Sequence, residues 1–501
     1  MKDKIIFWLN SDFTHFTIAK AIQDKYDAEF FAIIDITNEP KKFFQKQQIV
    51  EFNQIWFYHD NINLTKKPDV NYLRNFEEKY RINLWTLACN ERLFYQFNDY
   101  YTFTEEQILS ILEQECKLFE KILDEIKPDF LIMLDTNMHH NHLFYEISKK
   151  KGVKPLLLVA TRLARRWTIS SIADNVDFLP DKIDGKGNKS FEELQNYLKE
   201  FDTFTLISTT EKRFSGSSMG LFRAAMTFLF KNVNSSIKTH YSYYGRTKLR
   251  VLAKSMKNML KTKYRGSFIN NNFVKHVDNY ENFVFFPLHQ EPERSLLLTA
   301  PFYTNELEVI TNIVKSLPMG YKLLIKEHPA MMNREWRPIS YYKKIISLPN
   351  VILVHPSVKP EQLYKKCSLI VAISGTASFE GLFYQKPSIV LADTSFSMLS
   401  SVHRLYSIES LPEDMRDSLK KKVNLLELNE YVDTVLKNTF EFDYHNYTLD
   451  FGEQFYFGSF LVDVEIDEEQ IQIFIEKHNS LLEKLAYEHI KKINQYKKMD
   501  K

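Results

Sequence analysis

Short apolar runs alternate with amphipathic stretches over most of this chain. Ile5–Leu9 predicts a strand, Thr14–Lys25 a helix, Glu29–Ile36 a second strand and Gln54–Tyr58 another. A long helical pattern covers Glu105–Ile126 and stops before Lys127-Pro128. The strand Asp129–Leu134, a helix from about Leu143 to Lys150 and the strand Pro155–Ala160 follow. Strands alternating with helices imply a parallel, doubly wound sheet. The rhythm lapses between about residues 180 and 280, then returns. Phe283–Pro287, Tyr321–Ile325, Val351–Val354, Leu369–Ile373 and Ser388–Leu391 predict strands. Thr304–Ser316, Pro360–Lys366 and Ala377–Tyr384 predict helices between them, and Asp467–Lys498 predicts one long charged helix. The expected fold class is therefore α/β, with two doubly wound Rossmann-like domains facing a cleft, a basic helical insertion and a C-terminal helix. The expected divisions are residues 1–205, 206–280, 281–425 and 426–501. Ligands in such folds lie at the carboxyl ends of the strands.

At 501 residues the chain exceeds one ordinary core. Its 44% apolar and 26% charged content is that of a globular protein. Cys89, Cys116 and Cys367 have no metal-ligand spacing and suit a reducing cytoplasm. The apolar run Ile5–Leu9 is too short for an export signal, and no run approaches the ~20 apolar residues of a membrane span. A net charge of +2 hides an asymmetry: Lys212 to Val277 holds fourteen Lys and Arg and no Asp or Glu. Within it, Leu249, Leu252, Ala253, Met256 and Leu260 recur at helical spacing. This basic amphipathic helix suits an anionic membrane surface; a solvated face reads the same way. Without a recognised module, nucleic acid is not an expected partner.

The candidate chemistry follows the strands. Ser374-Gly375-Thr376 opens the helix that carries Ser378 and Glu380. Its amides and hydroxyls suit a phosphate at the positive end of a helix dipole, with Glu380 toward ribose hydroxyls. Simple helix capping gives the same pattern. Lys326 and His328-Pro329 follow another strand, where a histidine can donate to a leaving phosphate. His355-Pro356 is a second such pair, and spacing alone does not choose between them. Gln290 and Glu293 follow Phe283–Pro287, either at the same sheet edge as a donor site or in a solvated loop. In the N-terminal half, Asp12, His15 and Asp135 follow strands and are candidate bases for an acceptor hydroxyl; capping is the alternative for the two aspartates. His139, His140 and His142 raise a metal reading, but no cysteine or carboxylate spacing supports it. No metal site and no resident cofactor are expected.

The segments Phe285-Phe-Pro-Leu-His-Gln-Glu-Pro-Glu293, Leu317-Pro-Met-Gly-Tyr-Lys-Leu-Leu-Ile-Lys-Glu-His-Pro329 and Ser374-Gly-Thr-Ala-Ser-Phe-Glu-Gly-Leu-Phe-Tyr-Gln-Lys-Pro387 resemble the capsular polysaccharide biosynthesis family. That family includes the bacterial Kdo transferases of capsule assembly. Ser401-Val-His-Arg404 fits its pattern too, and the resemblance covers about residues 281–412. It implies a GT-B-like glycosyltransferase in which His328 and Ser374/Thr376 contact the donor's phosphate. A CMP-linked acidic sugar is the implied donor, with UDP-sugars next, and a surface glycan or lipid-linked molecule is the acceptor. Residues 1–205 would then hold the acceptor and 281–425 the nucleotide-sugar; the sequence has no convincing Asp-x-Asp metal motif, so catalysis without a metal is expected. Expected location is the cytoplasm, peripheral on the inner membrane face through residues 212–277. Two rival readings are a CDP-polyol phosphotransferase of surface polymer synthesis and a non-catalytic assembly or export factor.

Overall fold

A computed structural model describes residues 2–95, 97–199, 218–230, 236–334 and 336–499. Residues 206–217 and 231–235 of the expected basic insertion lie outside the described residues. Two β-sheets organise the chain. The first has seven strands: β1 (Asp3–Asn10), β2 (Ala28–Asp35), β3 (Gln54–Phe57), β4 (Phe130–Leu134), β5 (Lys154–Ala160), β6 (Arg166–Ser170) and β13 (Phe440–Glu441), in the order β13-β6-β5-β4-β1-β2-β3. Strands β1 to β5 pair in parallel, while β6 and β13 extend the edge antiparallel. The second has six parallel strands: β7 (Phe283–Pro287), β8 (Lys322–Lys326), β9 (Val351–Val354), β10 (Leu369–Ala372), β11 (Ser388–Val390) and β12 (Val402–Arg404), in the order β12-β11-β10-β7-β8-β9. Both sheets are doubly wound. In each, the strand order reverses next to its first strand, between β1 and β4 and between β7 and β10, and such a reversal opens a ligand crevice at the carboxyl ends.

Strand periodicity decides what covers each face of the first sheet. Ile5, Phe7 and Leu9 of β1 enter one apolar cluster, and Ile6 and Trp8 enter the other. The second cluster is closed by the helices Glu105–Ile126 and His139–Lys150. The first is closed by Thr14–Gln23 and, from the far end of the chain, by Tyr444–Phe455, Glu468–Lys477 and Asn479–Met499. The expected single tail helix is two helices that meet at His478. Its apolar positions Ile471, Phe474, Leu482, Leu485 and Ile493 are completely buried against the first sheet.

The helix Lys248–Asn272 runs longer than its apolar spacing suggested and touches both units. Lys254 pairs with Asp99 at 2.7 Å, while Ile269 and Phe273 enter the core of the second sheet. On the same helix Leu249, Met256, Met259, Leu260 and Tyr264 are 65–80% exposed.

Candidate functional site

The crevice of the second sheet is built by the loops after β7, β8 and β10. His289, just past β7, stands at the strand reversal. Its backbone N–H and Nδ1 both meet Glu306, at 2.9 and 3.0 Å, so Nε2 is left as the acceptor facing the Ser374 amide at 3.4 Å. Beneath it Arg337 is held by Glu327, by Glu306 at 2.6 Å and by Glu291 at 3.5 Å, and it donates to the His289 carbonyl at 2.6 Å. Tyr342 donates to the other oxygen of Glu327 at 2.5 Å. Burial opposes a charge on Glu306, yet Arg337 and then His289 outweigh it and hold the carboxyl below its usual range. This buried ionic cluster locks the ends of β7 and β8 together.

The groups above the cluster divide by what they have left to donate. Ser374 is fully buried and spends its hydroxyl on the Ser295 carbonyl at 3.1 Å. Ser378 spends its own on the Gly375 carbonyl at 2.6 Å. A hydroxyl has one proton to donate, so both serines shape the turn instead of offering a donor to an anion. Thr376 is exposed and Gly375 half-buried, and these two form the outward face of the turn. Glu380, one turn into the helix Ala377–Phe383, accepts from the Tyr364 hydroxyl at 2.8 Å.

Lys326 ends β8 and is nearly buried; burial lowers its ammonium to about 8, with Glu327 pulling the other way. His328 follows at the same edge. Burial, then the charges of Lys326, His289 and Arg337, push it down to about 3. Its ring is therefore neutral at pH 7, and Nδ1 accepts the Ala330 N–H at 3.2 Å, which leaves the proton on Nε2. His355, after edge strand β9, binds Ser357 and Asn270 through its two ring nitrogens. Of the two His-Pro pairs, His328 is the one beside the reversal. Gln290 and Glu293 lie half-buried in the loop after β7, Glu293 just ahead of the short helix Arg294–Leu297.

The crevice of the first sheet faces this one, and Arg294 joins them. Its guanidinium donates to the Thr136 carbonyl and lies 3.2 Å from Asp135 and 3.1 Å from Asp174. Asp135 follows β4 and also accepts the amides of Thr136 and Asp174. Burial raises it to about 6, against the pull of Arg294 and with help from the charge of Asp174. Asp12 follows β1, but its oxygens accept the Thr14 amide at 2.9 Å and the Tyr444 hydroxyl at 2.7 Å. These bonds brace the turn ahead of the helix Thr14–Gln23, whose N-cap position is Phe13. His15 is 1% exposed in the core of the first unit, and burial pushes it down to about 3.

The structure thus gathers Lys326, His328, Gly375 and Thr376 at one crevice and Asp135 at the opposite wall, and it leaves Asp12 and His15 in supporting positions. Sequence reasoning passed over His289, Glu306, Arg337, Arg294 and Asp174. His289 and Arg294 stood inside or beside a quoted motif; the other three are marked only by the fold. Of the three clustered histidines, His142 meets the Thr136 hydroxyl at 3.0 Å, while His139 and His140 are buried among carboxylates.

A chain with two facing, doubly wound α/β sheets and ligand-type crevices at both reversals belongs to the two-domain Rossmann-like class. Residues 192–405 match the family described as Capsule polysaccharide biosynthesis protein, a span that takes in the motifs of the second sheet and begins well ahead of it. No curated protein matches the chain. Among solved structures, it is similar to Methanocaldococcus jannaschii UDP-GlcNAc 2-epimerase in complex with UDP-GlcNAc and UDP, with 14% identity, 87% of this chain and 99% of that one covered, and a TM-score of 0.27. It is also similar to Thermosulfurimonas dismutans KpsC, beta Kdo 2,7 transferase, with 12% identity, 64% and 80% covered, and a TM-score of 0.31.

Proposed function

We propose that this protein is a glycosyltransferase of capsule polysaccharide synthesis that binds a nucleotide-sugar in the crevice of the second sheet. The observation that carries the reading is the convergence of Lys326, His328 and the Gly375-Thr376 turn, all within the segment that matches the capsule family, opposite Asp135. In this mechanism Lys326 and the Nε2–H of His328 stabilise charge on the departing phosphate, aided by the Gly375 and Thr376 amides. Glu380 meets the ribose, and Gln290 and Glu293 border the sugar. Asp135, with a carboxyl near neutrality, takes the proton of the acceptor hydroxyl as it attacks the anomeric carbon. The departing charge is met by fixed protein groups, so the proposed chemistry calls for no divalent metal. A CMP-linked acidic sugar is the favoured donor and a UDP-sugar the next. Residues 1–205 serve the acceptor and 281–425 the donor.

The exposed apolar positions of Lys248–Asn272 support a cytoplasmic enzyme attached to the inner membrane face, beside a lipid-linked acceptor. No helix among the described residues is long and apolar enough to cross a membrane.

Calorimetry with CMP, CDP, UDP and GDP tests the site. One nucleotide should bind the folded wild type, and Lys326→Met and His328→Ala should each weaken it about tenfold or more, as loss of a hydrogen bond to a charged group implies. Equal affinity in wild type and both variants would remove the crevice from the reading.

A further inference from the structure

Behind the crevice of the first sheet lies a polar cluster that the transfer chemistry does not use. Glu115 projects from the middle of the helix Glu105–Ile126, and His139 and His140 open the helix His139–Lys150. All three are buried, Glu115 completely. Donor atoms, one from each, lie within 4.8 Å of one another.

Two further observations point to a bound cation. First, Glu115 Oε2 and His140 Nδ1 are buried without a hydrogen-bond partner. An interior leaves such atoms unmet at a cost of about 1–3 kcal/mol each, a cost that a cation held by the trio would relieve. Second, each histidine has one ring nitrogen on a carboxylate outside the trio: His139 Nδ1 on Glu91 at 2.7 Å, and His140 Nε2 on Asp35 at 2.8 Å, while His139 Nε2 meets Glu115 within the trio at 2.9 Å. Carboxylates in those positions fix the tautomer that presents a lone pair to a metal and raise its basicity. Packing holds the rings as well, since Tyr58 stacks on His140 at 4.7 Å and Trp8 lies 5.6 Å away. The ion pairs of Asp35, Glu91 and Glu115 among the described residues are all to imidazoles, so a divalent cation would balance buried negative charge.

We propose that His139, His140 and Glu115 bind a divalent zinc-class metal, with Glu91 and Asp35 orienting the two imidazoles. Two imidazoles and a carboxylate suit zinc. Its ligands come from two helices, and its orienting carboxylates lie at the end of β2 and after the helix Leu84–Asn90. The metal therefore fastens the layer that positions the Asp135 loop. In its absence His139 bridges Glu91 and Glu115, at 2.7 and 2.9 Å.

The test uses the full-length protein, zinc alone as the probe, and elemental analysis after dialysis. The wild type should retain about one zinc per chain and, loaded with cobalt instead, show the visible bands of a low-coordinate site. Glu115→Gln and His140→Ala should lose the metal, and Glu91→Gln should bind it about 10–100-fold more weakly. Glu91→Gln keeps the side chain's shape, so it reports even if the other variants fail to fold. A folded wild type that retains no zinc would overturn the site and leave the proton-bridged network. Zinc kept undiminished by folded Glu115→Gln and Glu91→Gln would place the metal elsewhere and overturn it equally.

Discussion

Replacing Arg337 with methionine removes a guanidinium that is 2% exposed and faces three carboxylates. Methionine fills much of the same volume, so the loss is mainly electrostatic. Glu306, at 2.6 Å, and Glu327 would remain in the core without their cation, and the His289 carbonyl would lose a donor at 2.6 Å. Breaking a buried pair by removing one partner costs about 3–5 kcal/mol. For a unit of about 150–250 residues each kcal/mol moves Tm by roughly 2–4 °C, so the transition of the second unit should fall by about 6–20 °C. The pH dependence sharpens the expectation. In the wild type Glu306 is held below its usual range, so it contributes stability above the unfolded carboxyl value that is lost as pH falls through the folded one. Without Arg337 the buried carboxylates instead take up protons, and the deficit should be largest at neutral pH and shrink as pH falls. Scanning calorimetry and urea unfolding of both proteins at several pH values would measure this. A deficit below about 1 kcal/mol at pH 7, or one that grows on acidification, would refute the view that this cluster is an ionic lock.

Asp135→Asn should lower kcat by about 10²–10⁴-fold with nucleotide affinity retained. Because the carboxyl is raised to about 6 and acts when ionised, wild-type kcat/KM should climb as pH rises through about 6, and that limb should vanish in the variant. Lys326 loses its proton above about 8, so nucleotide affinity should be level below that pH and decline above it, while Lys326→Met should show no such decline. Vesicle co-sedimentation should place the protein on anionic but not neutral lipid, weakening with salt as screening predicts. Replacing exposed Leu249, Met256 and Leu260 with serine should reduce the salt-resistant part, and equal recovery in the supernatant under all conditions would remove the membrane reading.

Both sheets were legible because their strands are buried on two faces and so read as continuous apolar runs. Glu105–Ile126, Phe283–Pro287, Val351–Val354 and Pro360–Lys366 form at the boundaries their patterns imply. Strand β13 was not legible: two residues long, it joins a sheet whose first strand lies far back in sequence. The same distance hid the tail's role, since amphipathicity shows that a helix is covered but not by what. At the site, His328 and the Ser374 turn could be read because each follows its strand directly. The sequence could not show that Ser374 and Ser378 face inward, because a hydroxyl that caps and one that binds occupy the same position in a motif. Arg337, Glu306 and Glu327 come from three elements whose meeting depends on the sheet order. The carboxylates around His139 were hidden likewise, since Glu115 and Glu91 reach it from separate helical segments.

Product mass tests the central claim most directly. The purified protein would be incubated with CMP- and UDP-linked sugars and with CDP-polyols, each with a capsule glycan or lipid-linked acceptor, and the products weighed by mass spectrometry. The proposed function predicts an acceptor heavier by one glycosyl residue, release of the nucleotide from a sugar donor, and loss of both in Asp135→Asn. An acceptor that instead gains a phosphopolyol, or a folded protein that consumes no donor and binds no nucleotide, would contradict it.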